Sequence, residues 1–212
     1  FGNRPANSGK FSERICSDCR LTGMLRCVIL PAGYYQSSIA VTGDRFVEIL
    51  KELLGGSTAV GTVRWLGIAA ASRAVIQPQQ TVQIVPGGIA GDHHCRPQRA
   101  SKRQVTLIQA EHLQVVADLL NCGEIDPSEL RRNIVVSGIC LESLRYQQFR
   151  IGTAILSGSG SCPPCSRMEE NLGPGGYAAM LGHGGITAVV IESGSISLGD
   201  TVQPLGPPPA ST

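Results

Sequence analysis

Two cysteines three residues apart, Cys162 and Cys165, stand in the stretch SGSCPPCSRMEENLGPGGYAAMLGHGG (Ser159 to Gly185), which also carries Arg167 and His183. They follow an apolar run, Thr153 to Leu156, and directly precede Ser166 to Leu172, which has the length for two helical turns. A thiol at such a strand-to-helix corner faces unpaired helix N–H groups and Arg167, and both stabilise a thiolate. Thiolates bind soft metals and attack sulfur; protonated thiols do neither well. Three fates are open to the pair. Cys165, presented by the stiff Pro163-Pro164 link, could act alone while Cys162 packs or resolves. The two could cycle as a thioredoxin-like C-x-x-C, although the βαβ context of that motif is not expected here. They could also share a structural zinc with His183, which leaves a fourth ligand unnamed. For His183 itself, a histidine capping a glycine turn is the plainer reading.

Two basic clusters lie upstream. Arg96, Arg99, Lys102 and Arg103 follow Gly91-Asp92-His93-His94-Cys95, with no acid between His93 and Ala110. They read either as a solvated loop or as an anion cradle for a phosphate. His93 and His94 suit a metal by type. As neighbours on an extended chain, however, they are expected to point to opposite faces, so that at most one matters. Arg131-Arg132-Asn133 stands immediately before an apolar run, where arginines offer bidentate donors and asparagine offers a donor and an acceptor to a heterocycle edge. A further CSDC pair, Cys16 and Cys19 with Cys27 nearby, has half the spacing of a zinc site and lacks a second pair at the usual distance.

The elements that must position these residues are mostly strands. Val63 to Ile68, Thr81 to Val85, Gln104 to Ile108, Asn133 to Ser137, Phe149 to Ser157, Ile186 to Glu192 and Thr201 to Pro204 are β-rich runs bounded by Gly, Pro or polar residues. Helical spacing occurs from Asp44 (Phe46, Ile49, Leu50, Leu53, Leu54, then Gly55-Gly56) and over Ala110 to Asn121, where Leu113, Val116, Ala117 and Leu120 share a face. Asp126-Pro127-Ser128-Glu129 reads as a helix start. Strands outnumber helices and do not alternate with them, so the expected fold is mainly β: an antiparallel β-barrel with a few short helices.

The 212 residues suit one domain. Residues 1–42 read as an extension that is poorly ordered, 43–206 as the barrel domain, and 207–212 as a tail. A net charge of +2 and nine aromatics offer no stacking platforms, so nucleic acid is not expected as a partner. The apolar run Met24 to Gly33 is too short for a bilayer and holds Arg26, so no membrane segment is read. Eight cysteines spread over a chain of this size fit a reducing cytoplasm better than a disulfide framework.

The succession GDHHCRP (Gly91 to Pro97), KRQVTLIQAEHL (Lys102 to Leu113), LRRNIVVSGICL (Leu130 to Leu141), FRIGTAIL (Phe149 to Leu156), CPPCSRMEENLGPGGYAAMLGHGGITAVV (Cys162 to Val190) and ISLGDTV (Ile196 to Val202) closely resembles stand-alone bacterial MOSC-domain proteins. The family is named after the C-terminal domain of molybdenum cofactor sulfurase. The resemblance implies a β-barrel that binds molybdenum cofactor (molybdopterin), with one cysteine as metal ligand or sulfur acceptor; the second cysteine of the motif matches, which selects Cys165. Relatives that reduce amidoximes read R-P-N-I-V where this chain has Arg131-Arg132-Asn133-Ile134-Val135, so Arg132 replaces a proline. His93 stands where members more often have arginine. On this resemblance Arg103, Arg131 and Arg132 are expected to hold the pterin phosphate and Asn133 the heterocycle. Arg167 would support the Cys165 thiolate, with His183 as a candidate contact. The function implied is molybdenum-cofactor binding in support of reduction of N-hydroxylated compounds with electrons from a partner protein. The alternatives are a non-catalytic cofactor or sulfur carrier and a metal-free thiol oxidoreductase.

Overall fold

The computed structural model describes residues 59–208 together with Ile49 and Leu53, and all of them fall in the unit Val41–Thr212. The extension, the CSDC pair and most of the helix expected from Asp44 lie outside the described residues. Ile49 and Leu53 are helical and exposed.

The described strands are β1 (Gly61–Ile68), β2 (Gln77–Pro78), β3 (Thr81–Val85), β4 (Gly88–Ile89), β5 (Val105–Gln109), β6 (Ile134–Ser137), β7 (Gln148–Ile151), β8 (Ala154–Ser161), β9 (Ile186–Glu192), β10 (Gly194–Ser197) and β11 (Thr201–Gly206). Their hydrogen bonds run β11-β7-β8-β9-β5-β6-β1, and β1 pairs back to β11, so the sheet closes into a barrel with β2 on the far edge of β1. Closure removes the free edges that an open sheet would present. A smaller sheet, β10-β3-β4, stands beside it. The expected mainly β barrel with a few short helices is what forms.

One pair within the barrel, β5 with β6, is parallel, and its crossover contains helix α1 (Ala110–Leu119). That is a βαβ unit which the sequence pattern did not reveal. α1 buries Val116 and Ala117, with Leu113 and Leu120 partly buried, against Ile108 and Val135 on the outer face of the barrel; Met168 and Met180 complete this layer. Inside the barrel, Leu66, Leu107, Ile134, Phe149, Leu156 and Ile186 are almost wholly buried. Each such apolar side chain contributes about 1.5–3 kcal/mol of burial. β5 is therefore covered on both faces, as a strand in a parallel pair generally is, and it is the rigid centre around which the polar groups gather.

The single strand expected over Phe149 to Ser157 is instead a hairpin, β7 and β8, turning at Gly152 and Thr153. Gly152 has φ of 55°, and a Cβ there would meet the Asp200 carboxylate and the Ser195 carbonyl, so only glycine fits the turn. Asp126 caps as expected, accepting from Ser128 N at 2.8 Å, but the element it caps is a single 3-10 turn, Pro127–Leu130, ended by Arg131 in the left-handed region with φ of 55°. α2 (Arg167–Leu172) and α3 (Gly176–Ala179) are the remaining described α-helices.

Candidate functional site

Cys162 leaves the end of β8 and is tied at once to the start of β9, its N–H donating to the Gly185 carbonyl at 2.8 Å. Its side chain is only 1% exposed, and its Sγ lies 3.1 Å from Arg103 Nη2. Cys165 is exposed and separated from it by Pro163 and the buried Pro164. The Cys165 carbonyl accepts from Met168 N at 2.9 Å, which starts α2, while Arg167 turns to Glu170 with Nε 3.7 Å from Oε2.

The two thiols therefore occupy different surroundings. A cavity of about 400 Å³ is lined by Cys162, Pro163 and Pro164 on one side and by Gln109, His112, Glu142 and Leu181 among others. A second, polar cavity of about 30 Å³ is lined by Arg103, Arg131, Asp92, His93, His94 and Asn133, with apolar and other polar neighbours. Arg103 lines the second cavity and touches the thiol that lines the first, so it links the two.

Arg132 is 2% exposed, and three of its guanidinium nitrogens donate to main-chain carbonyls: Nε to Gly184 at 2.8 Å, Nη1 to Leu130 at 2.9 Å and Nη2 to Cys162 at 3.2 Å. Burial pushes the guanidinium below its ordinary value, and the Cys162 thiol opposes that, with the Arg103 charge lowering it and Cys165 raising it by smaller amounts. Gly184 is what makes this approach possible, since a Cβ there would collide with the Cys162 carbonyl. Arg131, by contrast, reaches the small cavity and donates Nη1 to the Ala74 carbonyl at 3.0 Å.

Asn133 is fully engaged. Its Oδ1 accepts from Thr106 N at 3.2 Å and Thr106 Oγ1 at 2.8 Å, and its Nδ2 donates to Gly67 O at 3.3 Å and Asp92 Oδ2 at 3.1 Å. Asp92 in turn accepts from Ala69 N at 3.0 Å on Oδ2 and from His94 N at 2.9 Å on Oδ1. Burial would push this carboxyl up, yet the His94 side chain, the Ala69 and His94 N–H groups and the His94 charge together hold it down at about 2. Asp92 is thus a fixed anion among Arg103, Arg131 and two histidines. It is a site residue that sequence reasoning passed over, although it sits in the GDHHC motif.

The expectation that His93 and His94 point to opposite faces fails. Residues 91–95 form turns, with Asp92 N donating to Ile89 O and Cys95 N to Asp92 O, and the two rings lie 3.8 Å apart at their centroids. Both Nδ1 atoms approach Asp92 Oδ1, at 3.6 Å for His93 and 3.3 Å for His94. All four residues of the first basic cluster, Arg96, Arg99, Lys102 and Arg103, are exposed, and of them Arg103 alone lines one of these two cavities.

His183 is half-buried in the turn after Met180, to whose carbonyl its N–H donates at 3.0 Å, and its ring packs edge-on to His112 at 4.9 Å. Its glycine neighbours, not its ring, line the larger cavity. His112 does line it, and burial, followed by the His183 charge, pushes the His112 imidazole below its ordinary value. In sequence His112 looked like one more polar position on an amphipathic helix, and nothing in its spacing set it apart.

The MOSC domain family matches residues 90–203. No curated protein matches the chain. Among solved structures, the YuaD protein from Bacillus subtilis is similar with a TM-score of 0.60 at 23% identity, over 68% of this chain and 94% of that one. YiiM from Escherichia coli gives 0.53 at 16%, over 68% and 69%. YiiM from Geobacillus stearothermophilus gives 0.54 at 16%, over 68% and 75%. At these identities the structures speak for the fold.

Proposed function

The chain belongs to the MOSC family, and from that membership we propose that it binds molybdenum cofactor, with the Cys165 thiolate as molybdenum ligand or sulfur acceptor. One observation carries the proposal. A loop bearing two thiols borders a cavity of about 400 Å³, and Arg103 joins that loop to a polar cavity where Arg131 also stands. Cys162 is the thiol beside Arg103 and on the cavity wall, and Cys165 follows it exposed on the same loop. A sulfur-bearing loop close to guanidinium groups suits a ligand that has a soft metal at one end and a phosphate at the other. When bound, the cofactor supplies a redox-active metal.

Each residue then has a distinct task. Arg131 keeps donors beyond the one given to Ala74, and Arg103 keeps donors beyond the one given to Cys162, so both can hold phosphate oxygens. Arg132 acts from behind this surface, clamping the carbonyls of Cys162 and Gly184, and Asn133, on the wall of the small cavity, orients Asp92 and Thr106. Cys165 is our ligand because it is exposed and free to meet a bulky group, whereas the Cys162 thiol is enclosed and taken up by Arg103. Arg167 stands two residues after Cys165 at the start of α2, where its guanidinium faces Glu170 and adds a further cation to this loop.

With electrons from a partner protein, the supported reaction is reduction of an N-hydroxylated base: the N–O bond breaks, two electrons and two protons enter, and the amine and water leave. The exposure of Cys165 favours a second reading, a carrier that hands cofactor or sulfur to another protein without turnover. The two part in one experiment. Protein loaded with molybdenum cofactor is given a chemical reductant and an N-hydroxylated base; loss of substrate establishes the reductase, and unchanged substrate with retained cofactor establishes the carrier. A Cys165→Ser protein that keeps full molybdenum content would sink the ligand assignment in either case.

A further inference from the structure

The group Asp92, His93 and His94 lines the small cavity beside Arg103 and Arg131, and it has a ligand geometry of its own that the phosphate-holding role proposed for those arginines leaves unused. One carboxylate oxygen and one nitrogen from each ring lie within 4.8 Å of one another. Asp92 Oδ1 is 3.3 Å from His94 Nδ1. Ligand atoms on a tetrahedral zinc, with bonds of about 2.0–2.2 Å, stand roughly 3.4 Å apart. The Asp92 Oδ1–His94 Nδ1 spacing is therefore close to that of two ligands on one ion.

The surroundings support a ligand role. His93 Nδ1 lies 3.0 Å from the Ala69 carbonyl. A carbonyl oxygen only accepts, so this nitrogen carries the proton and the other ring nitrogen holds the lone pair; histidines bound to metals are commonly oriented in this way. Asp92 is held by Ala69 N, His94 N and Asn133 Nδ2, and its side chain is 4% exposed, so the carboxylate is fixed before any ion arrives. The His94 side chain is 60% exposed, which leaves an entrance. The cavity these residues line, about 30 Å³, has room for an ion or a water.

The geometry points to a divalent transition-metal site formed by Asp92, His93 and His94, with open positions facing Arg103 and Arg131. Two imidazoles and one carboxylate suit zinc and its neighbours in the first row. The two guanidinium groups on the same cavity repel a bare dication, so an anion is needed on the open positions, and Arg103 and Arg131 are placed to hold it. This site does not depend on the molybdenum reading and is tested without that cofactor.

The full-length chain, freed of metal by a chelator, is titrated in a chloride buffer, which supplies the anion, with zinc and, separately, with cobalt as a spectroscopic stand-in. The expected result is one zinc bound by the histidine group, a cobalt spectrum of nitrogen and oxygen ligands, and a zinc-dependent rise in melting temperature. His94→Ala, whose side chain is largely exposed, should weaken zinc binding at least tenfold and remove that cobalt spectrum, while the Cys162→Ser and Cys165→Ser double variant keeps both. Circular dichroism of His94→Ala confirms that it is folded. Zinc affinity and cobalt spectrum unchanged in His94→Ala, or lost only in the cysteine variant, would overturn the site.

Discussion

Arg132→Ala separates a clamp from a ligand-binding group. The side chain donates to three main-chain carbonyls, those of Gly184, Leu130 and Cys162, and is 2% exposed, so truncation leaves three enclosed acceptors without their donor and a cavity in their midst. A hydrogen bond from a charged donor is worth about 1.5–3 kcal/mol net. Three such bonds would sum to more than about 4 kcal/mol, but removing the guanidinium also relieves the cost of burying its charge. A net loss of about 4 kcal/mol is expected, a large part of the roughly 5–15 kcal/mol typical of a domain. Arg132→Lys keeps the charge but offers one nitrogen for three carbonyls, and about 2 kcal/mol is expected from it. Urea unfolding of the ligand-free protein at neutral pH measures both. If Arg132→Ala unfolds within about 1 kcal/mol of the parent and loses only ligand affinity, the clamp reasoning is refuted and the arginine belongs to the binding surface.

Asp92 and the two thiols give further outcomes. Asp92 has a folded value of about 2 against an ordinary 3.8, so the folded state favours the carboxylate. Its contribution, about 2 kcal/mol, is complete well above pH 4 and is lost as pH falls through 3.8 to 2. Unfolding measured between pH 6 and 2 should show that loss in the parent and not in Asp92→Asn, which should be the less stable of the two at pH 6; parallel curves would refute it. Maleimide should label the exposed Cys165 at least about a hundredfold faster than the enclosed Cys162, read by peptide mass spectrometry, and equal rates would mean that the loop opens freely.

Much of the barrel could be read in the chain because its strands carry their own pattern. Thr81–Val85 alternates exposed and buried positions, and Ile186–Glu192 has the boundaries expected of it. The β7–β8 turn was hidden because FRIGTAILS is apolar through most of its length and offers only Gly152 as punctuation; what makes glycine necessary there includes Asp200, nearly fifty residues on. The parallel β5–β6 pair was hidden because its crossover helix is a single βαβ unit in an otherwise antiparallel barrel. In the site, residue types were legible and directions were not. Arg131 and Arg132 are neighbours of one type, yet one reaches a cavity and the other is spent on carbonyls up to 52 positions away. His93 and His94 converge because their segment turns where an extended chain was assumed.

The most direct test of the account is the molybdenum and pterin content of protein made in a host that synthesises the cofactor. The parent should carry both in equal amounts, Cys165→Ser should lose most of its molybdenum, and Cys162→Ser should retain most of it. A parent devoid of both, or a Cys165→Ser protein with undiminished molybdenum, would contradict the assignment of Cys165 as the thiolate that meets the metal.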